Sequence, residues 1–228
     1  MDNDIKNIYW KKIPLLESYF NKELLKNREN MLKIFFNEID YNIKKLLLDV
    51  GTTSSINKNH NLILQKILNN ENITCLSNQD CSFLKKKFPN VKDFIIGDGC
   101  DNKLNDNTYD IVYSNATIEH VGSHNNQRLF ISECVRVAKK DIFITTPNRY
   151  FPLDFHIKIP FIHFLPKIIH RKKLNLFGYS FFAKEENLNL LSEKDLVDHC
   201  EKLKIKNYKI IRYKPYFFTS NLLLIIQK

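Results

Sequence analysis

The chain lacks any apolar run near the ~20 residues a membrane-spanning helix needs, so its 228 residues give no support to a membrane-crossing reading. The start, Met1-Asp2-Asn3-Asp4, is polar and predicts no secretory signal. Its five cysteines, Cys75, Cys81, Cys100, Cys134 and Cys200, are odd in number and scattered, and no pair has metal-ligand spacing. That usage fits reduced thiols in a cytoplasmic setting, and it argues against zinc. No internal repeat or low-complexity linker divides the sequence. One domain is expected, large enough to bury a core without staples.

What is abundant is positive charge. The formal net charge is +10, which suits an anionic partner such as nucleic acid or a membrane surface. It equally suits a Lys/Asn/Ile-rich composition whose lysines dot solvated faces. They are dispersed except near Lys167 to Lys173, so the second reading accounts for most of the charge.

The chain is organised around Lys45-Leu46-Leu47-Leu48-Asp49-Val50-Gly51-Thr52-Thr53-Ser54-Ser55. A short aliphatic run ends in an acid and a glycine. A hydroxyl-rich loop and the helix-like run Asn61 to Leu68 follow. This reads as a buried parallel strand, a tight turn and a crossover helix. Open α/β sheets bind ligands at the carboxyl ends of such strands. A bare Asp-x-Gly is more often an ordinary turn, so the later segments must decide.

Before that strand, residues 8 to 38 read as helical. Ile13, Leu16, Tyr19, Phe20, Leu24, Leu25, Met31, Leu32, Phe35 and Phe36 form an apolar stripe, and Pro14 suits a first turn. Trp10 reads as packing. After it, Ile73-Thr74-Cys75-Leu76 is a second strand, with Ser77 and Asn78 where a ribose-binding acid is expected. Asp80 comes slightly late: it is either that acid or the N-cap of a helix over Cys81 to Phe88. Val91 to Gly97 is a third strand closing in Gly97-Asp98-Gly99, a turn sequence in its own right. Tyr109-Asp110-Ile111-Val112-Tyr113 is a fourth, with Ser114-Asn115-Ala116 at its end and Ile118-Glu119-His120-Val121 beyond.

In this order the motifs resemble those of the class I methyltransferases that use S-adenosylmethionine, of the small-molecule, type-11-like kind. The first motif there is strand-Asp/Glu-x-Gly-x-Gly; here Thr53 replaces the second glycine. The resemblance covers residues 45 to 149. It implies a three-layer Rossmann-like α/β fold with a seven-stranded, mostly parallel sheet and an antiparallel last strand. Asp49, Gly51 and Thr53 would then flank the methionine moiety, Asp98 and Gly99 the adenine, Asp80 the ribose, and Ser114 the transfer face. His120 would be the general base of an O-methylation, or else a satisfied structural histidine. Asn-Pro-Pro-Tyr, the signature of enzymes that methylate base or glutamine amides, is absent, which counts against nucleic acid.

An amphipathic helix over Asn126 to Val137 and a fifth strand over Asp141 to Thr145 complete the core, with Thr145-Thr146-Pro147-Asn148-Arg149 at the same rim. Residues 150–190, rich in aromatics, histidine and proline, form an insertion where the resemblance implies a substrate cap. Asn148, Arg149, His156 and Glu186 are the acceptor-side candidates. His156, His163 and His170 repeat every seven residues, but Pro160 and Pro166 interrupt any one helix, so no metal site is expected. The cap is also apolar and basic, as a surface touching a membrane or a lipid-linked substrate would be. Ser192 caps the last helix, and Tyr208 to Tyr213 and Leu222 to Ile226 close the chain as a hairpin.

The expected organisation is one domain over 1–228: a helical preface (1–44), a cofactor-binding core (45–149), the cap (150–190), and a C-terminal helix with its hairpin (191–228). The expected function is methyl transfer to a small or sugar-like acceptor, on oxygen. Thr145 to Arg149 and Phe182 to Ser192 also resemble methyltransferases of bacterial cell-surface polysaccharide synthesis. Two rivals stand beside this. One is an RNA-directed methyltransferase, which the charge favours. The other is a non-catalytic module of the same fold, which Thr53 and the missing ribose acid favour. A nicotinamide dehydrogenase lacks its second and third loop glycines.

Overall fold

A computed structural model describes residues 14–57, 59–67, 71–153, 156–157, 159–215 and 217–228. Trp10 and Ile13 lie outside the described residues, as do the side chains of Leu16, Tyr19 and Phe20. Seven strands form one sheet in the order β3-β2-β1-β4-β5-β7-β6. They are β1 (Leu47–Val50), β2 (Ile73–Ser77), β3 (Asp93–Ile96), β4 (Tyr109–Asn115), β5 (Ala138–Pro147), β6 (Tyr208–Tyr213) and β7 (Asn221–Gln227). The strands β1 to β5 pair in parallel, and β7 runs antiparallel to both β5 and β6. This is the seven-stranded, mostly parallel Rossmann-like sheet with an antiparallel last strand that the sequence predicts.

The central strands are apolar on both faces because both are covered. Met31, Leu32 and Phe35 of α1 (Pro14–Glu38) and Ile63 and Leu64 of α2 (Leu62–Lys66) pack on one face, with Leu47, Ile111 and Phe143. Phe130 and Ile131 of α3 (His124–Val137) and Leu196 of α6 (Glu193–Lys202) pack on the other, with Leu48, Val112 and Ile144. Phe35 lies edge-on to both Tyr113 and Phe143, at centroid distances of 5.2 and 5.3 Å. That anchor fixes α1 over the sheet. Two turns earlier on the same helix stands Arg28.

Local chemistry explains where the elements begin. Ser123 accepts from the Asn126 amide and starts α3 earlier than the apolar pattern indicated. Ser192 and Asp195 form a reciprocal capping box on α6, an arrangement that stabilises a helix start by about 1 kcal/mol. The helix expected over Cys81 to Phe88 is instead a five-residue 3-10 turn, Ser82–Lys86. Phe88 precedes Pro89 and so disfavours helical geometry, which leaves too short a run for an α-helix.

Residues 150–190 stand over the carboxyl rim, with α4 (Lys167–Leu176) and α5 (Ser180–Ala183) closing on a small core of Ile157, Ile162, Leu174 and Ala183. The outer face of α4 exposes Ile168, at 71%, and Leu176, at 81%, among the exposed Lys172 and Lys173. No helix among the described residues is long and apolar enough to cross a membrane.

Candidate active site

A cavity of about 590 Å³ opens at the carboxyl ends of β1 to β4, under α1. The loop after β1 makes its floor. Gly51 has φ +95°, and a Cβ there would lie 2.0 Å from the Thr117 Oγ1, so only glycine lets the two strand ends approach so closely. Thr53 has no such need: among the described residues it is not one with positive φ. Its backbone N–H and C=O both bond the side chain of Asn61, at 3.0 and 2.9 Å. The loop is thus clasped by an asparagine instead of being relaxed by a second glycine.

Asp49 is buried on this floor and accepts from the Thr52 hydroxyl at 2.7 Å. Burial pushes its carboxyl up to about 6, and the Thr52 hydrogen bond only partly opposes that. Asp98 lines the same cavity beyond β3 and accepts from the Cys100 amide at 2.8 Å. Gly99 lets Phe130 approach, since a Cβ there would fall 2.7 Å from that ring. The expected cofactor residues Asp49, Gly51, Thr53, Asp98 and Gly99 therefore share one wall.

Two others lie elsewhere. Asp80 does not line the cavity; its carboxylate accepts from the Ser82 amide at 2.8 Å and caps the short turn. Its neighbours Ser77, Asn78 and Gln79 face the cavity in its place, and the Ser54 hydroxyl bonds the Gln79 side chain. Ser114 is fully buried, because strand alternation turns it with Val112 toward the α3 face. The residues at that strand end that line the cavity are Tyr113, Asn115, Ala116 and Thr117. Ala116 is held at φ +53° by two bonds from its N–H, to the Thr145 carbonyl and hydroxyl, an uncommon conformation for a residue with a Cβ.

Arg28 also faces the cavity, donating to the Asn59 carbonyl. Burial pulls its guanidinium pKa down, while Tyr113 and Glu119 oppose that. Sequence reasoning missed it. The only available signal was an arginine two turns before the buried Phe35.

On the opposite wall stands His120. Its Nδ1 lies 2.7 Å from the Asn187 carbonyl. A carbonyl only accepts, so Nδ1 carries the proton and Nε2 of the neutral ring keeps its lone pair. Next to it Glu119 is fully buried: Oε2 accepts from the Thr146 hydroxyl at 3.1 Å, and Oε1 has no hydrogen-bond partner among the described residues. The His156 ring stands edge-on to His120 at 5.0 Å. One possible ligand atom from each of Glu119, His120 and His156 lies within 4.8 Å of the other two.

None of the acceptor-side candidates lines the cavity: His156 stands behind His120, and Asn148, Arg149 and Glu186 lie further off. Asn148 donates to the Thr219 carbonyl at 2.9 Å and accepts from the Tyr150 amide. Arg149 donates to the Leu165 carbonyl at 3.0 Å. Glu186 is exposed and pairs with Lys184 at 3.5 Å. His163 bonds the Phe151 carbonyl and His170 sits in α4, so the sevenfold histidines share no face.

Residues 48–144 match the family model described as a methyltransferase domain. This stretch, from β1 into β5, is similar to that family. Solved structures carry the likeness over the rest of the chain. An S-adenosylmethionine-dependent methyltransferase from Archaeoglobus fulgidus is 14% identical, with a TM-score of 0.59 over 93% of this chain and 99% of that one. A possible histamine N-methyltransferase from Thermotoga maritima is 12% identical, with a TM-score of 0.55 over 91% and 89%. Magnesium protoporphyrin IX methyltransferase from Synechocystis, with S-adenosylmethionine bound, is 10% identical, with a TM-score of 0.55 over 95% and 85%. None of the curated proteins matches the sequence. The chain therefore has the fold of S-adenosylmethionine-dependent methyltransferases, and that fold is shared by proteins named for quite different acceptors.

The cavity suits that cofactor. Its volume falls within the ~300–1,000 Å³ of small-molecule sites. Its floor joins two carboxylates, Asp49 and Asp98, to a loop drawn close by glycine. Such a wall complements a cationic sulfonium and ammonium beside an adenosine.

Proposed function

We propose that the protein methylates a hydroxyl group of a small or sugar-like acceptor, using S-adenosylmethionine. The observation that carries this is His120: a histidine on the cavity wall whose Nδ1–H is committed to a backbone carbonyl, leaving Nε2 with a lone pair. A hydroxyl acceptor needs such a group, because its oxygen must shed a proton as it becomes nucleophilic. Asp49 and the loop around Gly51 hold the methionine part, Asn78 and Gln79 the ribose, and Asp98 the adenine. When bound, S-adenosylmethionine supplies an electrophilic methyl: the acceptor oxygen bonds to it as the carbon–sulfur bond breaks, the pair staying on sulfur. The cavity residues do the positioning on which such a displacement chiefly depends.

The narrower acceptor class, a sugar of surface-polysaccharide synthesis, rests on Thr145 to Arg149 and Phe182 to Ser192. The apolar and basic outer face of α4 supports an acceptor presented at an anionic membrane surface. Co-sedimentation with anionic vesicles that is abolished by Leu176→Glu is expected, and equal sedimentation of both proteins would overturn it.

Calorimetric titration with S-adenosylmethionine and S-adenosylhomocysteine tests the core of the reading. Micromolar binding, weakened at least tenfold in Asp98→Ala, is expected; a folded wild type that binds neither would overturn it. With an acceptor found among nucleotide sugars and glycans, His120→Ala is expected to slow turnover by about 10²–10⁴-fold and leave S-adenosylhomocysteine binding intact.

A further inference from the structure

We propose that Glu119, His120 and His156 form a divalent-cation site at the acceptor end of the cavity. The inference rests on the methyl-transfer reading for its purpose, although not for its geometry. The three side chains come from a 3-10 turn after β4 and from the cap, and they converge without sharing a secondary element.

The fully buried carboxylate of Glu119, with Oε1 unpartnered, is the first argument. A buried carboxylate oxygen without a hydrogen bond is costly, and a coordinated cation satisfies it. Arg28 feels Glu119 electrostatically, yet it donates to the Asn59 carbonyl. The second argument is the outer support. Metal-bound histidines donate their other ring N–H to a carbonyl or carboxylate, and metal-bound carboxylates are themselves hydrogen-bonded. His120 meets the first condition through the Asn187 carbonyl at 2.7 Å, and Glu119 the second through the Thr146 hydroxyl at 3.1 Å. Both supports leave one atom, Nε2 or Oε1, for a ligand bond.

Two imidazoles and one carboxylate select a first-row transition ion such as zinc over magnesium or calcium. Three protein ligands also leave a coordination position open, as catalytic sites do. An acceptor hydroxyl bound there is acidified by the cation, and its proton leaves to solvent water. In the metal-loaded protein Nε2 of His120 is thus a ligand, and the cation takes over from it the activation of the oxygen. The proline-interrupted heptad of histidines excluded a different arrangement; this one uses only His156 of that series.

The test is titration of chelator-treated full-length protein with Co²⁺, read by visible absorption and by metal content after gel filtration. S-adenosylhomocysteine binding is measured in parallel on the same samples. One ion per chain is expected in the wild type. Affinity should fall at least tenfold in His156→Ala, and by about 10–100-fold in Thr146→Val, which removes only the outer hydrogen bond. Both variants should still bind S-adenosylhomocysteine, which shows that they are folded. A wild type that binds S-adenosylhomocysteine and no Co²⁺ would sink the site, as would undiminished Co²⁺ binding by His156→Ala. Stoichiometric Co²⁺ without S-adenosylhomocysteine binding would support the site and overturn the methyl-transfer reading instead.

Discussion

The wall of the cavity under β1, β2 and β3 is made of short runs, each continuous in sequence: Asp49 to Thr53, Ser77 to Gln79, Gly97 to Cys100. The facing wall is assembled from afar: His120 lines it after β4, backed by the buried Glu119, by His156 from residues 150–190, and by the Asn187 carbonyl some seventy residues on. On the first wall, backbone conformation and close approach set the geometry, so residue types are narrowly prescribed. On the second, tertiary packing sets it, and almost any loop sequence that folds back will serve. The cofactor side should therefore be brittle to substitution and the acceptor side tolerant, except where a buried polar group is held.

That contrast breaks most visibly at Gly51. Gly51→Ala forces a Cβ into Thr117 and a left-handed φ onto alanine, and a loss of about 4 kcal/mol is expected from clash and strain together. Denaturant unfolding and S-adenosylhomocysteine titration check it; wild-type stability with normal binding would show that the rim is pliable.

Next comes Asp49, where stability and function oppose each other. Its carboxyl is raised to about 6, so the folded protein holds this proton more tightly than the unfolded chain does. Stability therefore falls as pH rises from about 4 to 6 and stays lower above that. Asp49→Asn removes this loss. In the cofactor-free protein it should be more stable than wild type by about 3 kcal/mol at pH 7, with little difference near pH 4, while binding the cofactor less well. Parallel melting curves at the two pH values decide.

On the acceptor side, Asn189 is the exception to tolerance. Its buried amide donates to the Gly122 carbonyl at 2.8 Å and accepts from Lys167 at 2.7 Å. Asn189→Ala should cost about 2 kcal/mol and raise proteolysis within residues 150–190 before the core unfolds.

The smallest effect sharpens the contrast within the cofactor wall itself. Asp80→Ala removes only the exposed bond to the Ser82 amide, should change stability least of the set and should leave S-adenosylhomocysteine affinity unchanged. Gln79→Ala should weaken that affinity without a comparable loss of stability. The reverse pattern would restore the acid to the ribose.

Sequence carried the sheet, its parallel strands and the terminal hairpin, because buried strands and their glycine-acid turns are local signals. The same locality let Asp49, Gly51, Asp98 and His120 be named in advance. It failed where a neighbouring choice decided the outcome. Asp80 had two uses for one carboxylate and the cap took it. Ser114 sat one position off the exposed parity of β4. Asn148 and Arg149 follow β5 at the right rim, but their side chains bond the Thr219 and Leu165 carbonyls. Arg28 and the meeting of His156 with Glu119 depend on helix docking and cap closure, which no spacing encodes.

The strap from Asn187 to Leu191 reaches the core largely through main-chain atoms. The Asn189 amide bonds the Glu119 carbonyl, the Asn187 carbonyl receives His120, and the Leu191 carbonyl receives the Arg149 amide. Main-chain atoms are the same whatever residue bears them, so mutation can rewrite much of the cap without undocking it. Selection for a new acceptor then acts on a region that drifts freely, beside a cofactor floor that does not.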